Sequence, residues 1–121
     1  MKSMQMQFRV TNTTRDALLA HRAQRATHFF ERLKGLIGRT HFDPGEGLQI
    51  EPCNSIHTFF MQFPIDAVFL DEGRKVLRVC SALRPWQVVS CVQAKSVLEL
   101  PAGTVDRTGT RTADELAFEL C

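Results

Sequence analysis

Ser55-Ile56-His57-Thr58-Phe59-Phe60-Met61-Gln62-Phe63-Pro64-Ile65-Asp66-Ala67-Val68-Phe69-Leu70-Asp71 is the stretch on which the reading of this chain turns. It is the most apolar run in the sequence and holds four of the nine Phe residues. His57 and Asp66 lie inside it. An apolar run excludes ionisable groups unless something pairs with them, so the stretch is read as the centre of the core and the floor of any site. Read as a strand, residues 55–63 put His57, Phe59, Met61 and Phe63 on one face and Ile56, Thr58, Phe60 and Gln62 on the other. Both faces are largely apolar, as expected of a strand covered on both sides. Pro64 has no N–H and interrupts the ladder. Residues 65–70 then resume as a strand rich in β-formers.

Working outward, Asp71-Glu72-Gly73 is a hairpin turn and residues 75–80 the return strand. Arg84-Pro85-Trp86 is a bend carrying the only Trp, a stacking platform or a plug for one barrel end. Residues 87–91 and 95–100 read as further strands, ended by Pro101-Ala102-Gly103. Residues 104–112 are polar, a turn with one helical loop, and residues 115–120 a last edge strand. Upstream, residues 4–10 alternate with period two, residues 11–14 form a turn, and residues 16–26 carry both helical and extended signals. Residues 27–37 form the clearest helix. Thr27 stands ready to cap it, Phe29, Phe30, Leu33, Leu36 and Ile37 share one side, and Gly38 is a left-handed stop. Asp43-Pro44-Gly45-Glu46-Gly47 is turn chemistry, and residues 48–50 a short strand ended by Pro52. Many short strands, frequent turns and one helix make a mostly β, β-rich α+β fold: a small β-barrel or sandwich with one helix near 27–37 packed on it. That helix is expected to pack through Phe29, Phe30, Leu33 and Leu36, and Phe60, Val68, Leu70, Val76, Val97 and Leu98 to be well buried.

The 121 residues suit a single domain, 1–121. A net charge of +2 and scattered basic residues give no phosphate track, so no nucleic-acid partner is expected. No apolar run reaches the ~18–20 residues of a membrane span, and Met1-Lys2-Ser3-Met4-Gln5 leads into polar alternation rather than a signal sequence. No membrane partner and a cytoplasmic location are therefore expected. Cys53, Cys80, Cys91 and Cys121 include no Cys-x-x-Cys pair, so reduced thiols are expected, with no structural metal and no cofactor.

Three blocks carry a family likeness. They are Leu33-Lys34-Gly35-Leu36-Ile37-Gly38-Arg39, then Gly45-Glu46-Gly47-Leu48, then the stretch from Pro52 to Asp71; Leu98-Glu99-Leu100-Pro101-Ala102-Gly103-Thr104 supplies a further motif. Together they resemble, over about residues 15–118, the bacterial and archaeal family called domain of unknown function 192. The chain departs from the family pattern at Gln62, where Arg or Lys is frequent, and at Thr112-Ala113-Asp114-Glu115-Leu116, where a Gly-Asp pair is usual. The resemblance implies a mostly β, barrel-like domain with one helix, and a strand rather than a helix over 16–26. It brings no reaction, substrate or cofactor.

His57 and Asp66 are the first candidates for chemistry. A bend at Pro64 would bring them together as an acid/base pair or ligand clamp. In the structural alternative His57 bonds a backbone carbonyl and Asp66 caps backbone N–H groups. Cys53 and His57 have Cys-x3-His spacing, which with Asp66 or His41 offers a metal site or a nucleophile and base, but a strand separates i and i+4 by about 13 Å. Glu46 between two glycines can approach a ligand. Glu99 in an apolar strand is expected on a solvent face or paired, with Arg78 or Arg84 as partner. The site expected is a concavity formed by His57, Thr58, Met61 and Asp66, with Glu46 on its rim. The function expected is a non-catalytic binding module for a small molecule or a protein partner, monomeric or weakly dimeric. The alternative is a small hydrolase or transferase using His57 and Asp66.

Overall fold

The computed structural model describes residues 6–121; Met4 and Gln5, assigned above to the first strand, lie outside them, as does the rest of the segment read for a signal sequence. Of the described residues, 46% are in strands and 9% in helices. Seven strands form one sheet in the order β6-β5-β8-β3-β2-β1-β9. They are β1 (Phe8–Asn12), β2 (Ala17–Ala26), β3 (Glu46–Ile50), β5 (Ile65–Leu70), β6 (Val76–Leu83), β8 (Ser96–Pro101) and β9 (Leu116–Leu120). All neighbours are antiparallel except β2 and β3. The sheet curls until its two edges meet. Lys75 bridges Glu115, Val76 N–H donates to the Asp114 carbonyl at 2.8 Å, and Ala113 N–H to the Val76 carbonyl at 2.8 Å. β4 (Ser55–His57) and β7 (Val88–Ser90) form a separate two-stranded ribbon.

Strand alternation sorts the core into two clusters. Val68, Leu70, Leu98 and Leu100 point into the curl, with Val10, Leu19, Val76 and Leu116. The short helix α2 (Thr104–Thr108) closes it through Val105. Ala67, Phe69 and Val97 point outward from the same strands, and pack with Ile50, Ile56, Met61 and Leu36 beneath the ribbon. Residues of β5 and β8 are therefore buried on both faces, which is why both read as continuous apolar runs.

Several expectations are corrected. The central strand is three residues long rather than nine: β4 stops at His57, and Phe60 takes a φ of 64°, which ends the alternation. Phe60 is 65% exposed, whereas Val68, Leu70, Val76, Val97 and Leu98 are buried as expected. Helix α1 (Phe29–Lys34) follows His28, not Thr27, and ends at Gly35, three residues before Gly38. Its early stop leaves Phe29, Phe30 and Leu33 exposed, Phe30 by 79%; only Leu36, beyond the helix, is buried. Trp86 is 61% exposed and plugs nothing; α2 does that work. Residues 17–26 are strand β2, as the family likeness implied.

Candidate functional site

The five expected site residues do not converge. Asp66 is fully buried and shares its face with Val68 and Leu70, inside the curl. Its Oδ1 accepts the Ala82 N–H at 2.8 Å. Its Oδ2 accepts the N–H groups of Gly103 at 3.1 Å and Val105 at 2.8 Å. Ala82 sits in a bulge of β6 with φ 51°, and Gly103 and Val105 open α2. Asp66 therefore ties a bulge to a helix start, and every hydrogen bond it makes is to backbone. His57 lies on the other side of the sheet, in the ribbon that covers the outward face. Its Nδ1 accepts the Phe59 N–H at 3.2 Å, and its ring packs on Phe59. With a sheet between them the two groups cannot share a proton, so the acid/base pair is not formed.

Thr58 is a buried staple. Its Oγ1 donates to the Arg84 carbonyl at 2.7 Å and accepts the Gln87 N–H at 2.9 Å, while its carbonyl accepts the Trp86 and Met61 N–H groups. Met61 is core. Glu46 is taken by Arg39 and the Asp43 N–H. Burial pushes its carboxyl up, but those two bonds outweigh it and hold the group below its ordinary value. His41, Asp43 and Glu46 bring ligand atoms within 4.8 Å of one another at the surface, yet Glu46 is already spent on Arg39. His41 Nδ1 lies 3.3 Å from an Asp43 carboxylate oxygen.

The structure draws the eye to another place. A cavity of about 210 Å³ opens between α1 and β4, lined by Phe29, Arg32, Leu33, Ile50, Cys53, His57 and Glu99 among others. Glu99 comes from the outward face of β8, where Leu48 of β3 and Ala67 of β5 flank it. It is 3% exposed. Its Oε1 has no hydrogen-bond partner, and neither has the buried Nε of Arg32; among the described residues these are the two buried side-chain polar atoms left unpaired. Both residues line this cavity. Gly35, at φ 50°, passes directly above: a Cβ there would lie 3.9 Å from Glu99 Oε1.

Burial raises the Glu99 pKa to about 8, so near neutrality the group is mostly an uncharged acid, able to donate through O–H and accept through C=O. Arg78 and Arg84 are not its partners: Arg78 donates to the Ser90 carbonyl and Arg84 lies in the Thr58 turn. The Cys53 thiol donates to the Ser55 carbonyl at 3.1 Å. Burial, with Glu99 nearby, pushes it up, which keeps it protonated and a poor nucleophile. All four cysteines are free thiols. The expectation of a solvent face or a partner for Glu99 is not met: it is buried, and its Oε1 is unpaired. The signal was there: Val-Leu-Glu-Leu-Pro in a strand covered on both faces leaves a carboxyl no solvent side to point to.

Beside the cavity runs a chain of rings. His57 packs on Phe59, Phe59 on Trp86 and Trp86 on Phe60, with centroids 5.1, 5.6 and 4.7 Å apart. Phe60 and Trp86 both hold positive φ, 64° and 68°, a conformation costing an L-residue roughly 1–2 kcal/mol. The Thr58 staple enforces it.

The comparisons with known proteins agree with the motifs. The family described as Uncharacterized ACR, DUF192, matches residues 10–118. The chain belongs to the DUF192 family. A UPF0127 protein of Thermococcus sibiricus is 33% identical over 115 residues, covering 90% of this chain and 73% of the relative. One of Pyrococcus abyssi is 34% identical over 101 residues, covering 78% and 83%. Two solved structures share the fold. A Novosphingobium aromaticivorans protein of unknown function has a TM-score of 0.79 at 23% identity, over 92% of this chain and 83% of that one. A Sinorhizobium meliloti protein, provisionally named a transcription regulator, has a TM-score of 0.83 at 19% identity, over 98% and 96%. At those identities the likeness is one of fold alone. Among the described residues no helix is long and apolar enough to cross a membrane.

Proposed function

We propose that this DUF192 domain is a binding module whose cavity between α1 and β4 takes a small uncharged group, a carboxamide being the best match. The observation that carries this reading is the pair of unpaired buried atoms, Glu99 Oε1 and Arg32 Nε, whose residues line one mostly apolar cavity. A buried polar group without a partner costs about 1–3 kcal/mol, and a fold that keeps two on one cavity is consistent with a ligand that satisfies them. A carboxamide offers a C=O to the O–H of neutral Glu99 or to the Arg32 Nε–H, and an NH2 to the Glu99 carbonyl oxygen. A cation meets the Arg32 guanidinium, and a carboxylate meets the cost of burial. The apolar walls suit the carbon body of the ligand.

The test is protein-observed NMR with propionamide and butyramide, run against butyrate and butylamine. Amides at millimolar concentration are expected to shift the resonances of Gly35, Ile50, Cys53 and Glu99, with little effect from the two charged compounds. Glu99→Leu is expected to abolish those shifts. No amide-specific shift at these four residues in the wild type would overturn the reading.

A further inference from the structure

We infer that the physiological occupant of this cavity is a side chain of an extended peptide segment, supplied by a partner protein, that adds as a strand to the open edge of β4 and lowers an Asn or Gln carboxamide onto Glu99. The inference rests on the binding reading above and names its ligand class.

The first support is the edge itself. β4 pairs with β7 on one side only. Cys91 N–H bonds the Asn54 carbonyl and Thr58 N–H the Gln87 carbonyl, so positions 54, 56 and 58 turn their backbone groups toward β7. In an antiparallel ladder the alternate positions face the other way. Ser55 and His57 therefore aim their N–H groups outward, and both residues, with Ile56, line the cavity. An open edge beside a pocket is the arrangement peptide-binding sheets use: main-chain bonds give affinity and the pocket reads one side chain.

The second support is the extent of the apolar surface. Phe29 and Leu33 stand exposed on the α1 wall, and Phe60 and Trp86 beyond the β4 wall. The ring chain from His57 to Phe60 reaches well past a cavity of about 210 Å³. A single small molecule filling that cavity leaves most of these side chains in water, whereas a strand running along β4 has residues on either side of the buried one to cover them. The strain at Phe60 and Trp86 has the same sense, since backbone strain held in place by surrounding structure marks surfaces built for a purpose. The aromatic and apolar composition is that of interface anchors.

The cavity selects the side chain. It carries one neutral acid and one unpaired guanidinium nitrogen. An Asn or Gln carboxamide offers those atoms both an acceptor and a donor.

The experiment selects linear heptapeptides from a random phage-displayed library on the immobilised full chain. A selected peptide is then synthesised and followed by amide hydrogen exchange. The expected result is an Asn or Gln common to the enriched sequences and slowed exchange at the Ser55 and His57 amides on binding. Affinity should fall at least tenfold in Glu99→Leu. Ser55→Pro, which removes one outward backbone donor together with the Ser55–Ser90 side-chain bond while the β4–β7 backbone bonds remain, should weaken the peptide similarly. Binding that leaves the Ser55 and His57 amides unprotected would overturn the inference, as would failure to enrich any peptide. Concentration-dependent protection of the same two amides without peptide would also overturn it, in favour of a second copy of this chain. If butyramide also fails to bind, the binding reading falls with it; if butyramide binds and peptides do not, only the inference falls.

Discussion

Asp66 and Glu99 are both buried carboxyl groups on adjacent strands, set almost side by side, with Asp66 opposite Leu100 and Ala67 opposite Glu99. They face opposite ways. Inside the curl Asp66 accepts three backbone N–H groups. Its neighbours there are equally well served. Gln49 accepts from Arg25 and donates to Ser96, and Asp114 takes Asn12, the Arg111 N–H and both arms of Arg15. On the outward face Glu99 has burial without bonds. Burial therefore does not distinguish a structural acid from a binding one in this molecule. The distinction lies in whether the acid's oxygens are already spent.

The largest test of that contrast is Asp66→Ala. Losing a carboxyl that satisfies three buried N–H groups is expected to cost about 3–5 kcal/mol. At roughly 3–5 °C per kcal/mol for a domain near this size, the melting temperature should drop by about 10–20 °C. Urea melts of wild type and variant at one pH measure it. A loss under ~1 kcal/mol would show that Asp66 is not the inner tie described above.

The pH dependence of stability separates the two faces next. The Glu99 pKa is raised in the folded protein, to about 8 from 4.5. Between those values the folded state holds a proton that the unfolded state has released. Stability from this group is thus complete below about 4.5, falls as pH rises, and levels off above about 8. The slope reaches at most about 1.4 kcal/mol per pH unit, giving a loss of roughly 2–4 kcal/mol between pH 5 and 8. Asp114 has the opposite sign. Burial pushes it up, but the Arg15, Asn12 and Arg111 bonds outweigh this and lower its pKa below 3.8. Its contribution is present above that value and is lost as pH falls through the folded-state pKa. Denaturant melts from pH 3 to 8 should show both arms, and Glu99→Gln should flatten only the upper one. An upper arm unchanged by Glu99→Gln would assign it elsewhere.

How much of this was legible in the sequence follows the same division. The inner face was readable. Val68, Leu70, Val76 and Leu98 alternate as strand cores do, and the β class followed from turns and strands that propensity places well. The Asp66 caps were open to reading as one of two alternatives, though their partners in the β6 bulge and α2 were not. The outer face was misread for a physical reason. Phe29, Phe30 and Leu33 recur at helical spacing, and spacing does not say whether an apolar stripe meets a core or a ligand. Only the helix end at Gly35 decides that, and it depends on the loop that follows. Likewise the Phe-rich run after His57 alternates like a strand, but the Thr58 bonds to a bend some thirty residues away fold it into a turn. Periodicity is local, and those bonds are not.

Glu99→Leu reverses the sign of the first test. Replacing an unpaired buried acid by an apolar side chain of similar size should stabilise the protein by about 1–3 kcal/mol while removing butyramide binding. A gain of stability with a loss of binding is the mark of a group kept for a ligand rather than for the fold. Melts of the variant at pH 7 decide it. If Glu99→Leu destabilises, Glu99 has a structural partner and the contrast with Asp66 collapses.

The smallest effect belongs to Ala113. It sits at φ 79°, between the Arg111 turn and Asp114. An L-residue in that conformation costs about 1–2 kcal/mol, and Gly returns part of the gain through the greater freedom of its unfolded chain, about 0.4–1 kcal/mol. Ala113→Gly should therefore stabilise the protein by about 0.5–1 kcal/mol, a shift of a few degrees. The Ala113 N–H bond to the Val76 carbonyl does not use the side chain, so the seam between the two sheet edges should survive intact. Because this seam lies at the curl and not at the outer cavity, the butyramide shifts should be the same in variant and wild type. A stabilised Ala113→Gly with unchanged ligand response would show that the two faces can be tuned separately. A changed response at Gly35 or Glu99 would show that the seam and the cavity are mechanically coupled, and that the division between an inner face built for stability and an outer face built for binding is drawn too sharply.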